Sequence, residues 1–344
     1  MSKRVPTSGK RIRDIGEFKL IDVLTAVVAG SQPGRLSLGI GDDAAVWRPS
    51  PGRHIVMSTD TMIEEEHFRL EWGDWKSLGH KALAVNLSDL AAMGARPRLA
   101  LVSIGLTGSE RDREIADLYR GMVALGDQFK TAVVGGDTTT SETAVMISIT
   151  VLGEATSGPD SVMKRSSARA GDLIAVTGPL GLAAGGLEVL DQELRTLDGG
   201  PAMEEAFLRP KPRVREGRIL ARSGVRCAID LSDGLLGDLP KVCSQSGLSA
   251  EIDELKIPVP LSIKWAFQDW IEVALRGGED YELLFTASPS VLARINRNFR
   301  RAGLRLPTVI GRMVDPGEAE PEVRLRMPSG QVEKLEPGAY AHWG

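Results

Sequence analysis

Residues Asp74 to Met93 read as one helix, and that helix limits what the rest of the chain can do. Asp74 is suited to cap it, Gly94 to end it, and Pro97 prevents its resumption. The residues between are mostly apolar or small: Leu78, Ala82, Leu83, Ala84, Val85, Leu87, Leu90, Ala91 and Ala92. A helix apolar all round is a buried helix, so the fold must enclose it. Yet Asn86 and Asp89 lie within it, three apart on one face. The positions one turn from Asp89 hold Val85, Asn86, Ala92 and Met93, so no cation of the same helix neutralises it. An ion, or a basic side chain from a loop, is the simplest partner.

Carboxylates recur after small residues elsewhere. Gly39-Ile40-Gly41-Asp42-Asp43 sets two adjacent aspartates after two glycines, and neighbours on an extended chain face opposite sides. The stretch 54–58 reads as a strand that delivers Ser58-Thr59-Asp60-Thr61 at its end. The strand 131–134 ends in Gly135-Gly136-Asp137-Thr138-Thr139, and 227–229 in Asp230-Leu231-Ser232-Asp233-Gly234. Gly277-Gly278-Glu279-Asp280-Tyr281 leads into a strand over 282–286. Strand ends in α/β folds are where ligands bind. Magnesium takes oxygen ligands and typically uses one or two carboxylates plus substrate phosphates, so this set suits several divalent ions. Two unit charges about 4 Å apart interact by roughly 4 kcal/mol at an effective dielectric near 20. Without metal, such a cluster repels an anionic substrate.

A chain of 344 residues with 42% hydrophobic content can bury a large core and form two domains. The boundary is expected in the linker Gly153–Pro159, giving domains 1–157 and 158–344. Met1–Gly16 is expected to be a mobile tail. Helices are expected over Glu17–Ala29 and over Ser109–Gln128, the latter opened by a Ser109/Asp112 box. Further strands are expected over 144–152 and 172–177. Later helices are expected over 182–190, 214–223, 234–246 and 288–302, with short strands near Val309 and Val323. The net charge of −4, with basic residues scattered, carries no nucleic-acid footprint. The densest basic run, Arg209 to Arg215, reads as surface. The two cysteines, Cys227 and Cys243, have neither disulfide-scaffold nor zinc spacing. No apolar run reaches membrane-spanning length, and no apolar core follows the basic N-terminus. A cytoplasmic protein, bound to neither membrane nor nucleic acid, is the expectation. No P-loop or protein-kinase motif is present. Gly39-x-Gly41-x-x-Ala44 would put Asp42 and Asp43 where a dinucleotide pyrophosphate must approach.

Taken in order, six segments resemble those of the thiamine-monophosphate kinases, within the aminoimidazole-ribonucleotide-synthetase-like superfamily. They are Gly-Ile-Gly-Asp-Asp at 39–43, Ser-Thr-Asp-Thr at 58–61, Lys81 to Ala95, Gly-Gly-Asp-Thr-Thr at 135–139, Ile-Asp-Leu-Ser-Asp-Gly at 229–234 and Gly-Gly-Glu-Asp-Tyr-Glu-Leu at 277–283. The resemblance runs from about Gly16 to the C-terminus. It implies a two-domain α/β (α+β), PurM-like fold: an N-terminal mixed sheet with helices on one side, pairing across a homodimer, and a C-terminal α/β domain. The ATP and metal loops are expected to meet between the domains. It implies direct, in-line transfer of the γ-phosphoryl group of ATP to thiamine monophosphate, with Mg2+. Asp43, Ser58, Thr59, Asp60, Asp89, Asp137, Asp230 and Asp233 are the implied metal ligands, some through backbone oxygen or water, with Asp60, Asp137 and Asp233 catalytic. Tyr119, Gly136, Asp137, Arg165 and Ser232 are the implied nucleotide contacts. His67, Glu279 and Tyr340 are the implied substrate contacts. Ala341 departs from the acidic residue common between the terminal aromatic and His342. The rival readings are another ATP-dependent enzyme of the superfamily and a non-catalytic nucleotide or metal sensor on the same fold.

Overall fold

The computed structural model describes residues 7–30, 35–40, 44–156, 162–192 and 197–338. Asp42, Asp43 and Tyr340 to Trp343 lie outside them. The described chain divides into two compact units. Unit 1 runs to Leu90 and from Arg96 to Ala155; unit 2 holds Ala91–Ala95 and everything from Thr156 on.

Unit 1 begins with α1 (Ile12–Ile15), α2 (Glu17–Val28), β1 (Leu36–Leu38) and β2 (Val46–Trp47). It continues with β3 (Arg53–Ile63), α3 (Trp75–Ala92), β4 (Arg96–Leu106), α4 (Asp112–Phe129), β5 (Ala132–Thr140) and β6 (Met146–Thr156). The four long strands form a mixed sheet in the order β3-β6-β4-β5, with β4 parallel to β5 and antiparallel to β6. Helix α3 is buried over nearly its whole length. Asp74 caps it by accepting the Ser77 N–H at 2.6 Å, and Gly94 stops it in a left-handed turn at φ 68°.

Of the expected mobile tail Met1–Gly16, residues 1–6 lie outside the described residues, and Ser8, Gly9 and Arg11 are anchored. The Asp112 carboxylate accepts the N–H groups of Ser8 and Gly9 at 2.5 and 2.8 Å, and Arg11 bridges to Arg111. Asp112 is therefore not the partner of Ser109 in a capping box. Helix α4 starts later, capped by Arg111 with Glu114, whose carboxylate accepts the Arg111 N–H at 2.7 Å.

Strands β3 and β5 run past their expected ends. Ser58 to Thr61 and Gly135 to Thr139 are strand interior, so Asp60 and Asp137 stand within the sheet and not beyond it. The expected linker at Gly153 is likewise strand, up to Thr156.

Unit 2 contains β7 (Leu173–Val176), α5 (Leu182–Asp191), α6 (Gly200–Leu208), α7 (Val214–Arg222), β8 (Cys227–Asp230), α8 (Leu235–Ser246) and β9 (Ser249–Asp253). After these come α9 (Leu261–Ala266), α10 (Trp270–Arg276), β10 (Leu283–Ala287), α11 (Pro289–Ala302), β11 (Thr308–Val314), β12 (Val323–Arg326) and β13 (Val332–Leu335). Seven strands form one sheet, β13-β12-β9-β11-β7-β10-β8, antiparallel except between β12 and β9. Ile174, Val176, Ile229, Ile252, Leu284 and Ile310 from its strands pack with Leu235, Leu236, Leu239 and Val242 of α8 into one core.

Candidate active site

In unit 1 the sheet has two unlike faces. Thr61 Oγ1 donates to Ser148 Oγ at 2.9 Å, Ser148 is opposite Ser103, and Ser103 is opposite Asp137. These four residues form one row across β3, β6, β4 and β5, on a face that carries exposed Met57, Ile63 and Leu101. Over one end of that face, Leu36, Ala45 and Trp47 pack on Leu99, Ala132, Val134 and Leu152. The ends of the Gly39–Val46 loop are thereby tied to the sheet.

Asp60 neighbours Thr61 in the strand and so points to the opposite face, where α3 lies. Its N–H donates to Asn86 Oδ1 at 3.1 Å, while Asn86 Nδ2 donates to Ala82 O at 3.0 Å. Both halves of the buried amide are used, which fixes its orientation. Ser58 Oγ donates to Asp89 Oδ2 in a very short contact. Burial, reinforced by the charge of Asp89, pushes the Asp60 carboxyl up to about 6. Two carboxylates crowded out of water favour a cation between them.

Thr59 faces the other way, its Oγ1 donating to Ile149 O at 3.1 Å. Asp137 is three strand steps from Asp60, roughly 14 Å at the usual spacing, and on the other face. Among the described residues, no three His, Cys, Asp or Glu side chains gather as a metal-holding group. The convergence expected of Asp60, Asp89 and Asp137 within one chain is thus limited to the pair Asp60 and Asp89.

Gly136 is required by β5 itself. It has φ 154°, and an added Cβ would lie 1.8 Å from Val102 O. His67 sits in a tight turn after β3, where its Nδ1 accepts the Ile63 N–H at 3.1 Å. That bond leaves the proton of a neutral ring on Nε2. Tyr119 is 5% exposed on the inner face of α4, and burial raises its phenol above the ordinary range. A base could stack on it only if its cover moved.

In unit 2 two loops interlock. Glu279 N–H donates to Ser232 O at 2.8 Å, Tyr281 N–H to Leu231 O at 2.9 Å, and Leu231 N–H to Glu282 O at 2.8 Å. Glu279 and Tyr281 have φ 67° and 48°, a left-handed conformation that non-glycine residues rarely hold without a compensating reason. Between them Asp280 accepts the N–H groups of Gly181 and Ala183 at 2.6 and 3.1 Å. Burial outweighs those bonds and pushes its carboxyl up to about 7. Gly234, at φ 88°, would bring a Cβ within 2.7 Å of Arg276 O.

Asp230 is the last residue of β8 and is buried. Asp233 is paired at 2.5 Å with Lys241, which also donates to Asp238 at 2.8 Å. The other oxygen of Asp238 accepts the N–H groups of Ser232 and Asp233 at 3.0 and 2.9 Å. Burial pushes the Asp238 carboxyl up against the pull of Lys241. Burial also disfavours the ammonium, but its bonds to Asp233 and Asp238 leave Lys241 more basic than usual. Arg165 lies exposed on a single 3-10 turn whose backbone is tied down, its carbonyl accepting Ser246 Oγ at 2.8 Å.

The sequence pattern marks Asn86 only as a neighbour of Asp89 and gives no role to Asp238 or Lys241. The i,i+3 spacing of Asp238 and Lys241 was a readable signal for their pairing; the backbone N–H groups that Asp238 holds were not.

Comparisons with known proteins agree over most of the chain. The AIR synthase related protein N-terminal domain matches residues 41–155, and the C-terminal domain of the same description matches residues 169–324. A thiamine-monophosphate kinase of Bacillus subtilis is 35% identical over 275 residues, 79% of this chain and 83% of that protein. The crystal structure of a thiamine-monophosphate kinase from Stenotrophomonas maltophilia is 35% identical, with TM-score 0.79 over 90% of this chain and 96% of that one. AaThiL complexed with AMPPCP and TMP is 31% identical, with TM-score 0.74 over 98% of this chain and 100% of that one.

Proposed function

The chain belongs to the thiamine-monophosphate kinase family of AIR synthase related proteins, and on that premise we propose that it transfers the γ-phosphoryl group of ATP to thiamine monophosphate. The observation that carries this reading is the match, over 98% of the chain, to a structure holding AMPPCP and TMP together. Donor analogue and acceptor are both bound there, so the reaction is a phosphotransfer with phosphate as acceptor.

The acceptor oxygen is already anionic near neutral pH, so no general base is required of the chain. What the chain must overcome is repulsion between two anions, and it must hold them in line. The donors at Asp60, Asp89 and Ser58 are all oxygen, as a hard divalent cation prefers, and the crowding of Asp60 against Asp89 supports such an ion there. Mg2+ held by these residues would supply charge neutralisation to the transferring phosphate. Thr59 can join only through its backbone oxygen. Arg165, tethered through its carbonyl, adds a cation at the phosphates. Asp230 and Asp233 of unit 2, and Asp43 of the Gly39 loop, are further carboxylates of the type that holds such an ion. Gly136 offers backbone approach to the nucleotide, Ser232, whose N–H and C=O are taken by Asp238 and Glu279, offers its hydroxyl, and His67, Glu279 and Tyr340 serve the thiamine phosphate.

Asp137 belongs to the exposed row Thr61, Ser148, Ser103 and Asp137, flanked by the exposed apolar Met57, Ile63 and Leu101. A sheet face of this kind suits a second copy of the chain, which supports a homodimer in which Asp137 acts at or near the interface. No helix among the described residues is long and apolar enough to cross a membrane, which is compatible with a cytoplasmic enzyme.

The test is ATP consumption with thiamine monophosphate and Mg2+, with EDTA as control. Turnover that requires all three components is expected. Absence of turnover alongside intact nucleotide binding would favour a sensor instead, and radiolabel left on the protein by ATP alone would overturn direct transfer.

A further inference from the structure

The stretch Arg209-Pro210-Lys211-Pro212-Arg213, between α6 and α7, has no part in the reaction proposed above. Each proline fixes its own φ. Pro210 and Pro212 are buried, and Arg209, Lys211 and Arg213 all line one cavity of about 280 Å³ in unit 2. Arg305, beyond α11, lines the same cavity. A fragment that reads as ordinary surface thus brings three cations, with Pro210 between two of them, to the lining of one cavity.

The carboxylates of the cavity are already engaged. Arg213 forks onto Glu282, with Nε at 2.7 Å from Oε2, and Glu282 also accepts Thr177 Oγ1 at 2.6 Å. Asp280 takes the N–H groups of Gly181 and Ala183. Arg209 pairs with Glu205 at 3.6 Å. Lys211 and Arg305 are left without a carboxylate partner among the described residues, in a concave place that also holds the buried Asp280 carboxyl and is near the lower end of the usual size for small-molecule sites.

We propose that this cavity is a binding site for a small dianion of the phosphate class, held between Lys211 and Arg305. Arg213 contributes as the fixed floor, since its planar fork is already oriented by Glu282. The dianion is either inorganic phosphate or the phosphate group of a small ester.

The experiment is calorimetric titration of the full-length protein at low salt, saturated with AMPPCP, using inorganic phosphate and glycerol 3-phosphate as separate probes. Saturable binding of at least one probe is expected, and which one binds identifies the source. The K211Q/R305Q double variant should weaken it tenfold or more while leaving kcat for thiamine monophosphate and the far-UV circular dichroism unchanged. The charge-conserving K211R/R305K variant should stay within threefold of the parent. Raising the salt severalfold should weaken binding, as for any exposed ion pair. Unchanged affinity in K211Q/R305Q, or no saturable binding of either probe, overturns the proposal. Because the readout is binding, a failed kinase assay leaves this result interpretable.

Discussion

Asp60 in unit 1 and Asp238 in unit 2 are both carboxylates withdrawn from water, and they are treated oppositely. Asp60 is pushed up to about 6 by burial and by Asp89, and no Lys or Arg pairs with it among the described residues. Asp238 has two backbone N–H groups on one oxygen and Lys241 on the other. A buried carboxylate with such partners is structural; one that carries its desolvation uncompensated is waiting for a ligand or doing work. The same residue type thus marks a site in one place and a brace in the other.

Replacing Asp60 should have the largest consequence. D60N is expected to lower turnover about a thousandfold or more, the scale of losing a central electrostatic contact, in a steady-state ATP assay. It should also stabilise the metal-free protein. Between the ordinary 3.8 and about 6, folded Asp60 keeps a proton that the unfolded chain has released. Stability from this group therefore falls as pH rises through that window, and the deficit persists above it. Asn removes the deficit, worth about 3 kcal/mol near pH 7, read by denaturant unfolding in EDTA. A variant of near-normal rate, or one less stable than the parent, would remove Asp60 from the functional side of the comparison.

Next in size is D238A, expected to cost about 3 kcal/mol, because two buried N–H groups and an ammonium lose their acceptor at once. Turnover should fall through kcat more than KM, since Ser232 and Asp233 are carried on the loop that Asp238 holds. D238N, which keeps one acceptor oxygen, should recover part of both. Loss confined to stability, with kcat unchanged, would reduce Asp238 to a brace of the fold alone.

The contrast between the regions also explains what could be read in advance. Helix α3 was legible because Asp74, Gly94 and a continuous apolar body state its ends and its burial locally. The long reach of β3 and β5 was not, because Ser58 to Thr61 and Gly135 to Thr139 carry small polar residues on an open face, and such residues read as loop. That error hid the consequence that mattered most: residues inside a strand alternate, so Asp60 and Asp137 take opposite faces. The order β3-β6-β4-β5, which sets them about 14 Å apart by strand spacing, is a tertiary fact that no local pattern carries. Helices α6, α9 and α10 were missed because Gly and Pro in or beside these short segments read as turn. The Ser109/Asp112 box failed for a different reason, since Asp112 was claimed by Ser8 and Gly9 from a hundred residues away.

Magnesium sharpens the comparison at smaller amplitude. At a hundred times its dissociation constant it should stabilise the parent by about 2.7 kcal/mol, by mass action alone. The gain should vanish in D60N and persist in D238N, as followed by thermal unfolding. Equal gains in all three proteins would place the ion away from Asp60.

The smallest effect should come from Lys241. Its ammonium is 36% exposed and bridges Asp233 and Asp238, so solvent screens it and its removal in K241M should cost about 1 kcal/mol or less. The informative quantity is the Mg2+ requirement. With the ammonium gone, Asp233 loses the cation that now neutralises it, and an added divalent ion should meet less competition there. Half-maximal activation should therefore occur at lower Mg2+ in K241M than in the parent, by a few-fold. If activation is unchanged while stability falls as stated, Asp233 is held by Lys241 for architecture, and the acidic set that works on phosphate is confined to unit 1 and the Gly39 loop. If activation shifts, the ammonium is a resident counter-ion at a metal-binding carboxylate, and the two regions differ only in whether the chain brings its own cation.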